Sequence, residues 1–196
     1  MGDEERLRLF FAVPLAEALR DSACALRDEL AGACRRRPRI KWVERPNLHM
    51  TLKFLGDTRA GELQRVCRIA ERAAEGVGPM SLEVCGVGCF PPRGAPRIIW
   101  LGVSRECPEL TRLATRLDEA LQEAGLAEAD RHPFTAHFTV GRVKDRRGGR
   151  ALRDAIERLS EAPVGCMDVD HFVLISSDLT PQGPVYTERE RFELSE

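Results

Sequence analysis

Apolar residues recur along the chain with two periods, and the switching between them outlines the secondary structure. RLRLFFAV (6–13) is an apolar run of strand length closed by Pro14. Leu15, Leu19, Ala23, Leu26 and Leu30 then recur at helical spacing until the Gly32 region stops them. The cluster CRRRPR (34–39) reads as a loop, IKWV (40–43) as a short strand and NLHMTLKFLG (47–56) as another. After GDT (56–58), Leu63, Val66, Ile69, Ala70 and Ala73 predict an amphipathic helix ending near Gly76 and Gly78. MSLEVCGVGCF (80–90) alternates as a strand does and runs into PPRGAP (91–96), a turn-rich loop.

RIIWLGV (97–103) begins the sequence of elements again. Leu110, Leu113, Leu117 and Leu121 predict a helix that tolerates Pro108 in its first turn. TAHFTVGR (135–142) follows as a strand and RDAIERL (153–159) as a short helix. Segments around 164–176 and 184–194 supply the last strands. Strand, helix, His-containing strand, helix and strand thus run from 6 to 90 and again from 97 to about 175. A duplication of that period predicts two similar lobes related by an approximate twofold axis. We expect a single α+β domain over 1–196, with the 91–96 loop joining the lobes and 184–194 adding closing strands.

Composition narrows the function classes. The formal net charge is −1, so no global field favours nucleic acid or a membrane, and any basic surface is local. Of the 30 basic residues only Lys41, Lys53 and Lys144 are lysine. Seven cysteines (24, 34, 67, 85, 89, 107, 166) are scattered through apolar patterns. The closest pair, Cys85 and Cys89, lacks the second pair or histidine that a zinc site needs, which favours reduced, mostly buried thiols. MGDEERLR lacks the basic-then-apolar order of a signal peptide, and no apolar run is long enough to cross a bilayer. A cytoplasmic protein without a membrane partner is the expectation.

Chemistry concentrates in two short motifs. His49-x-Thr51 and His137-x-Thr139 lie 88 residues apart, each within a strand pattern and at corresponding places in the repeated order. Two residues apart on a strand places an imidazole and a hydroxyl on one face, roughly 6.5–7 Å apart along the chain. Two such strands across a cleft offer two imidazoles and two hydroxyls to one phosphoryl group. A neutral imidazole takes the proton of the attacking oxygen and a protonated one supplies the leaving oxygen. The hydroxyls donate to non-bridging oxygens. Nothing in this scheme requires a metal or cofactor. Strict alternation also puts Lys53 on the face of His49 and Thr51, with Met50, Leu52 and Phe54 opposite. The remaining histidines, His132 and His171, lack the threonine and read as surface or structural residues.

NLHMTLKFLGDT and PFTAHFTVGRVK resemble the two signatures of the 2H phosphoesterases, specifically the RNA 2′,3′-cyclic phosphodiesterases also called 2′-5′ RNA ligases. RLRLFFAVPL, PRIIWLGV and the tail FVLISSDLTPQGPVYTERERFEL are similar to further strands of that family, so the likeness covers nearly the whole chain. It implies a bilobed α+β fold with antiparallel sheets flanking a central cleft, helices outside, and no metal. His49 matches the family's proton donor, His137 its proton acceptor, and Thr51 and Thr139 its phosphate-binding threonines. The implied reaction opens an RNA or nucleoside 2′,3′-cyclic phosphate with water, leaving a 2′-phosphate; in reverse it forms a 2′-5′ linkage. Ala136 stands where the family often has proline, which removes no catalytic group.

Arg142 resembles an arginine that helps hold the phosphate. An ideal strand, however, aims it away from the cleft with Phe138 and Val140, and Gly141 would have to permit its return. The basic segment 142–153 reads equally as an RNA-backbone loop or a solvated surface, as does the Arg35–Lys41 cluster. Phe11, Trp42, Phe90, Phe134 and Tyr186 include candidates for stacking a base, none singled out. A cyclic phosphate on a small nucleotide, or a non-catalytic RNA-end binding module, are the competing readings. Because the duplication supplies both catalytic halves, a monomer suffices.

Overall fold

Strand β1 (Arg6–Pro14) leads through α1 (Glu17–Ala33) and β2 (Ile40–Trp42) to β3 (His49–Arg59) and α2 (Leu63–Ala74). The hairpin β4 (Met80–Phe90) and β5 (Ile98–Val103) precedes α3 (Pro108–Glu123), β6 (Phe138–Val143) and α4 (Gly149–Arg158). Strands β7 (Pro163–Val169), β8 (His171–Thr180) and β9 (Gly183–Glu193) complete the chain. This computed structural model describes residues 5–33, 38–145, 149–181 and 183–196. The CRRRPR residues 34–37 and residues 146–148 of the basic segment lie outside that set.

The strands form two antiparallel sheets, ordered β3-β1-β8-β9 and β2-β6-β5-β4-β7. This is the α+β architecture expected from the sequence. Setting β1 beside β5 aligns β3-β1-β8-β9 with β6-β5-β4-β7, an approximate twofold relation with β2 as an extra edge. Each half of the chain lends a strand to the other half's sheet: β4 pairs with β5, and β8 pairs with β1. The 91–96 loop therefore closes a hairpin inside one sheet and is not a lobe junction. The chain crosses to the second sheet for the short edge strand β2 and back at β3, crosses again between α2 and β4, and returns at Asp170 between β7 and β8.

One contiguous apolar core joins both sheets and the helices. It contains Leu9, Phe11, Met50 and Leu52 from the first sheet and Leu82, Val84, Ile99, Leu101, Phe138 and Val140 from the second. Helix α3 inserts Leu110, Leu113, Leu117 and Leu121, all fully buried, at the spacing its pattern predicts. Burying each contributes about 1.5–3 kcal/mol. A second small cluster, Phe10, Ala12, Val173 and Ile175 with Tyr186 against it, covers the other face of the first sheet. Among the described residues no helix is long and apolar enough to cross a membrane.

Strand β3 runs beyond the expected 47–56 through GDT: it pairs with β1 as far as Arg59↔Arg6. Gly56, at φ 72°, adjoins a register slip that skips Leu55 between Gly56↔Leu9 and Phe54↔Phe10. The glycine's left-handed freedom serves a bulge here.

Candidate active site

Each His-x-Thr segment lies where a strand enters its sheet. His49 opens β3 opposite Pro14, and Thr51 lies opposite Ala12. His137 immediately precedes β6, which starts three residues later than the pattern suggested, and Thr139 lies opposite Trp100.

One residue past each threonine the pairing slips. Leu52 is skipped between Thr51↔Ala12 and Lys53↔Phe11; Val140 is skipped between Thr139↔Trp100 and Gly141↔Ile99. Side chains alternate with period two, so one extra residue exchanges the faces of everything beyond it. Lys53 therefore does not share a face with His49 and Thr51, contrary to strict alternation. It is 1% exposed and bonds Asp118, Asp130 (3.0 Å) and the Glu128 carbonyl (2.7 Å). Phe54, expected in the core, is instead 52% exposed and packs its ring against Phe10. The same slip in β6 returns Arg142 to the face of Thr139, opposite Ile98. Gly141 has a different task from the bend assigned to it. A Cβ there would come within 2.8 Å of the Trp42 ring that lies over it.

The two imidazoles are held alike. His49 Nδ1 donates to the Asn47 carbonyl at 2.8 Å and His137 Nδ1 to the Thr135 carbonyl at 2.7 Å. With Nδ1 carrying the proton for a main-chain acceptor, Nε2 is the ring atom left for a ligand. Asn47 is itself fixed by a 3-10 turn, Arg45–Asn47, whose Arg45 forms ion pairs with Glu17 and Asp21 of α1. Aromatic rings flank both histidines. Phe10 and Tyr186 lie 4.9 and 5.5 Å from His49, and Phe90 and Trp100 lie 5.1 and 6.2 Å from His137, between ring centroids. Trp100 approaches so closely over Gly88 that a Cβ there would fall 2.1 Å from the indole.

Burial pushes the His49 pKa down to about 4, against the pull of the Asn47 hydrogen bond, with smaller contributions from the positive charges of Arg142 and His137. His137 is lowered mainly by burial and also by Arg142, while its Thr135 bond opposes the shift. Both rings are thus neutral near pH 7 in the free protein. Arg142 acts on both histidines and on Tyr186, so its guanidinium lies within electrostatic reach of both motifs. Strands β3 and β6 are in contact, and Arg142 and His137 both act on His49, so the two motifs lie near one another. Among the described residues, the two hydroxyls and Arg142 have no hydrogen-bond or ion-pair partner.

His132 is exposed, and His171 binds Asp170 at 2.5 Å. Among the described residues, no group of three or more His, Cys, Asp or Glu is placed to hold a metal ion. Of the aromatic stacking candidates, Phe90 and Tyr186 border the cleft and Phe11 is core. Phe10, Phe54 and Trp100 were missed. The run RLRLFFAV gives no sign that Phe10 and Phe11 bury against different surfaces, and the bulge hides Phe54.

Two antiparallel sheets, each with a His-x-Thr segment where a strand enters it, make the chain a 2H phosphoesterase in fold. The sequence profile of the 2′-5′ RNA ligase superfamily matches residues 19–181, and the chain belongs to that superfamily. It is 39% identical to an RNA 2′,3′-cyclic phosphodiesterase of Methanothermobacter thermautotrophicus, covering 96% of this chain and 100% of the relative. It is 40% identical to one of Archaeoglobus fulgidus, covering 95% and 100%. Among solved structures, TT0787 of Thermus thermophilus superposes with a TM-score of 0.78 at 30% identity, over 96% of this chain and 98% of that one. Escherichia coli LigT complexed with 3′-AMP superposes at 0.75 and 26% identity, over 98% and 100%.

Proposed function

We propose that this protein is an RNA 2′,3′-cyclic phosphodiesterase that opens the cyclic phosphate to a 2′-phosphate through its paired histidines. The observation that carries the reading is the matched anchoring of the two rings. Each gives Nδ1 to a carbonyl two residues back and keeps Nε2 free, with a threonine hydroxyl two residues on. The relatives named above, alike over nearly their whole length, support the same activity.

In the forward step, water attacks phosphorus in line with O3′. His137 Nε2 accepts the water proton as the new P–O bond forms. His49 donates a proton to O3′ as the P–O3′ bond breaks, leaving a 2′-phosphate and a free 3′-hydroxyl. Thr51 and Thr139 donate to the non-bridging oxygens, and Arg142 offsets their charge, which is where transition-state stabilisation is largest. With a 5′-hydroxyl end in place of water, the same step, attack at phosphorus with loss of O3′, forms a 2′-5′ phosphodiester. Each step is a proton transfer or a contact made by this chain's own side chains.

The test is product analysis on a 2′,3′-cyclic nucleotide in the presence of EDTA. The expected product is the 2′-phosphate, formed at an undiminished rate. Exclusive formation of the 3′-phosphate would overturn the mechanism.

A further inference from the structure

Beyond the cleft, on the side of His137, the surface continues into a groove of about 740 Å³ lined by Arg93, Gly94, Arg97, Val143, Lys144 and Asp145, among others. We infer that this groove binds the phosphate backbone of an RNA strand whose cyclic end occupies the cleft. This rests on the proposed function and names the part of the substrate that a mononucleotide lacks.

Two chain segments run from the site to the groove. Phe90, whose ring meets His137, is followed directly by the loop that carries Arg93. Arg142, on the cleft face of β6, is two residues from Lys144 on the same chain segment. A 2′,3′-cyclic phosphate is a 3′ end, so every other phosphate of the RNA lies on its 5′ side and leaves the cleft in one direction. The groove offers that path three exposed cations, Arg93, Arg97 and Lys144. None of the three has an ion-pair or hydrogen-bond partner for its side chain among the described residues. Asp145 is the one acidic residue in the lining, and it is already engaged.

The groove is also built in advance. Arg153 of α4 donates to the carbonyls of Pro91 (3.5 Å), Pro92 (2.9 Å) and Gly94. It thereby ties down the loop and occupies oxygens that would repel a phosphate. Arg97 N–H bonds the Phe90 carbonyl, Val143 N–H the Arg97 carbonyl and Lys144 N–H the Arg39 carbonyl, at 2.7–2.8 Å. Ordering the strand on such a surface costs less than ordering a flexible loop as well.

A second basic groove, between α2 and α3, also holds two cations without a side-chain partner among the described residues, Arg68 and Arg72, but is otherwise more neutralised. Its Arg65 and Arg116 are spent on the carbonyls of Ala124 and Glu75, and Glu119 and Glu123 line it too.

The experiment compares the wild-type protein with the triple variant Arg93→Gln, Arg97→Gln, Lys144→Gln, whose exposed side chains leave the core intact. Fluorescence anisotropy follows a labelled single-stranded oligoribonucleotide ending in a 2′-phosphate, across a salt series. Turnover is measured in parallel on a cyclic mononucleotide and on a cyclic-ended oligonucleotide. The expected result is oligonucleotide affinity weakened about tenfold or more, with the log–log salt slope reduced by about 2 for three lost contacts. The oligonucleotide KM rises correspondingly while mononucleotide turnover stays within about twofold. Unchanged affinity and slope would overturn the groove, as would an equal loss on both substrates, which would place the charges at the cleft. If the wild type turns over neither substrate, the proposed activity fails, and the anisotropy result still decides the groove.

Discussion

A phosphodiester anion bound between two neutral imidazoles changes the protonation of both. One unit charge at about 4 Å and an effective dielectric constant of about 20 is worth about 4 kcal/mol, close to three pKa units. That is enough to carry His49 from about 4 back to the neutral range, so the proposed donor gains its proton with the substrate. The prediction is that kcat/KM, which reports the free enzyme, follows a bell with both limbs below the ordinary histidine value of about 6.5. The kcat bell, reporting the complex, lies at higher pH. Initial-rate profiles on a cyclic nucleotide check this, and coincident bells would contradict it. Stability carries the same sign. Both folded-state values are depressed, so the unfolded chain binds more protons. The neutral rings' contribution is complete above about 6.5 and is lost as pH falls through about 4 for His49.

The strands were legible from alternation and apolar runs, and β4 matches its expected bounds of 80–90. What could not be read was the pairing slip in β3 and β6, because a bulge is a relation to the neighbouring strand and leaves no local mark in the period. That one feature reversed Lys53 and Phe54 and brought Arg142 to the cleft. Phe54 and Arg142 each stand five residues past their histidine, so the twofold relation of the motifs breaks at this pair. One side of the cleft carries a cation and the other an apolar ring. Losing a charge-assisted hydrogen bond costs about 1.5–3 kcal/mol. Arg142→Ala is therefore expected to weaken binding of a 2′-phosphate nucleotide by roughly 10- to 100-fold, with Arg142→Lys restoring part of it. Titration calorimetry reads the effect, and unchanged affinity would show that the bulge does not deliver the guanidinium to the phosphate.

At the scale of the molecule, the repeated order of elements anticipated two sheets of matching strand order, but not that β4 and β8 each join the sheet of the other half, since partner choice lies in no single strand's pattern. The two halves are further fastened by Lys53, which reaches from β3 to Asp118 of α3 and to Asp130, on the segment leading to His137. The side chains of Asp118 and Asp130 are 24% and 49% exposed, against 1% for Lys53. Lys53→Met leaves carboxylates that water can reach and is expected to cost about 1–3 kcal/mol. The double change Asp118→Ala, Asp130→Ala strands a buried ammonium and is expected to cost about 3–5 kcal/mol. Urea unfolding midpoints test this order, and its reversal would contradict the account of the pair.

The central claim is that the two His-x-Thr motifs work as one acid–base pair. Its most direct test is turnover of a defined RNA ending in a 2′,3′-cyclic phosphate by the wild type, His49→Ala, His137→Ala and the double variant. Each single change is predicted to lower kcat by about 10²–10⁴. The double variant should then be little worse than either single, because groups acting as a unit lose their function together. A single variant that keeps near wild-type kcat, or a double loss equal to the product of the two, would contradict it.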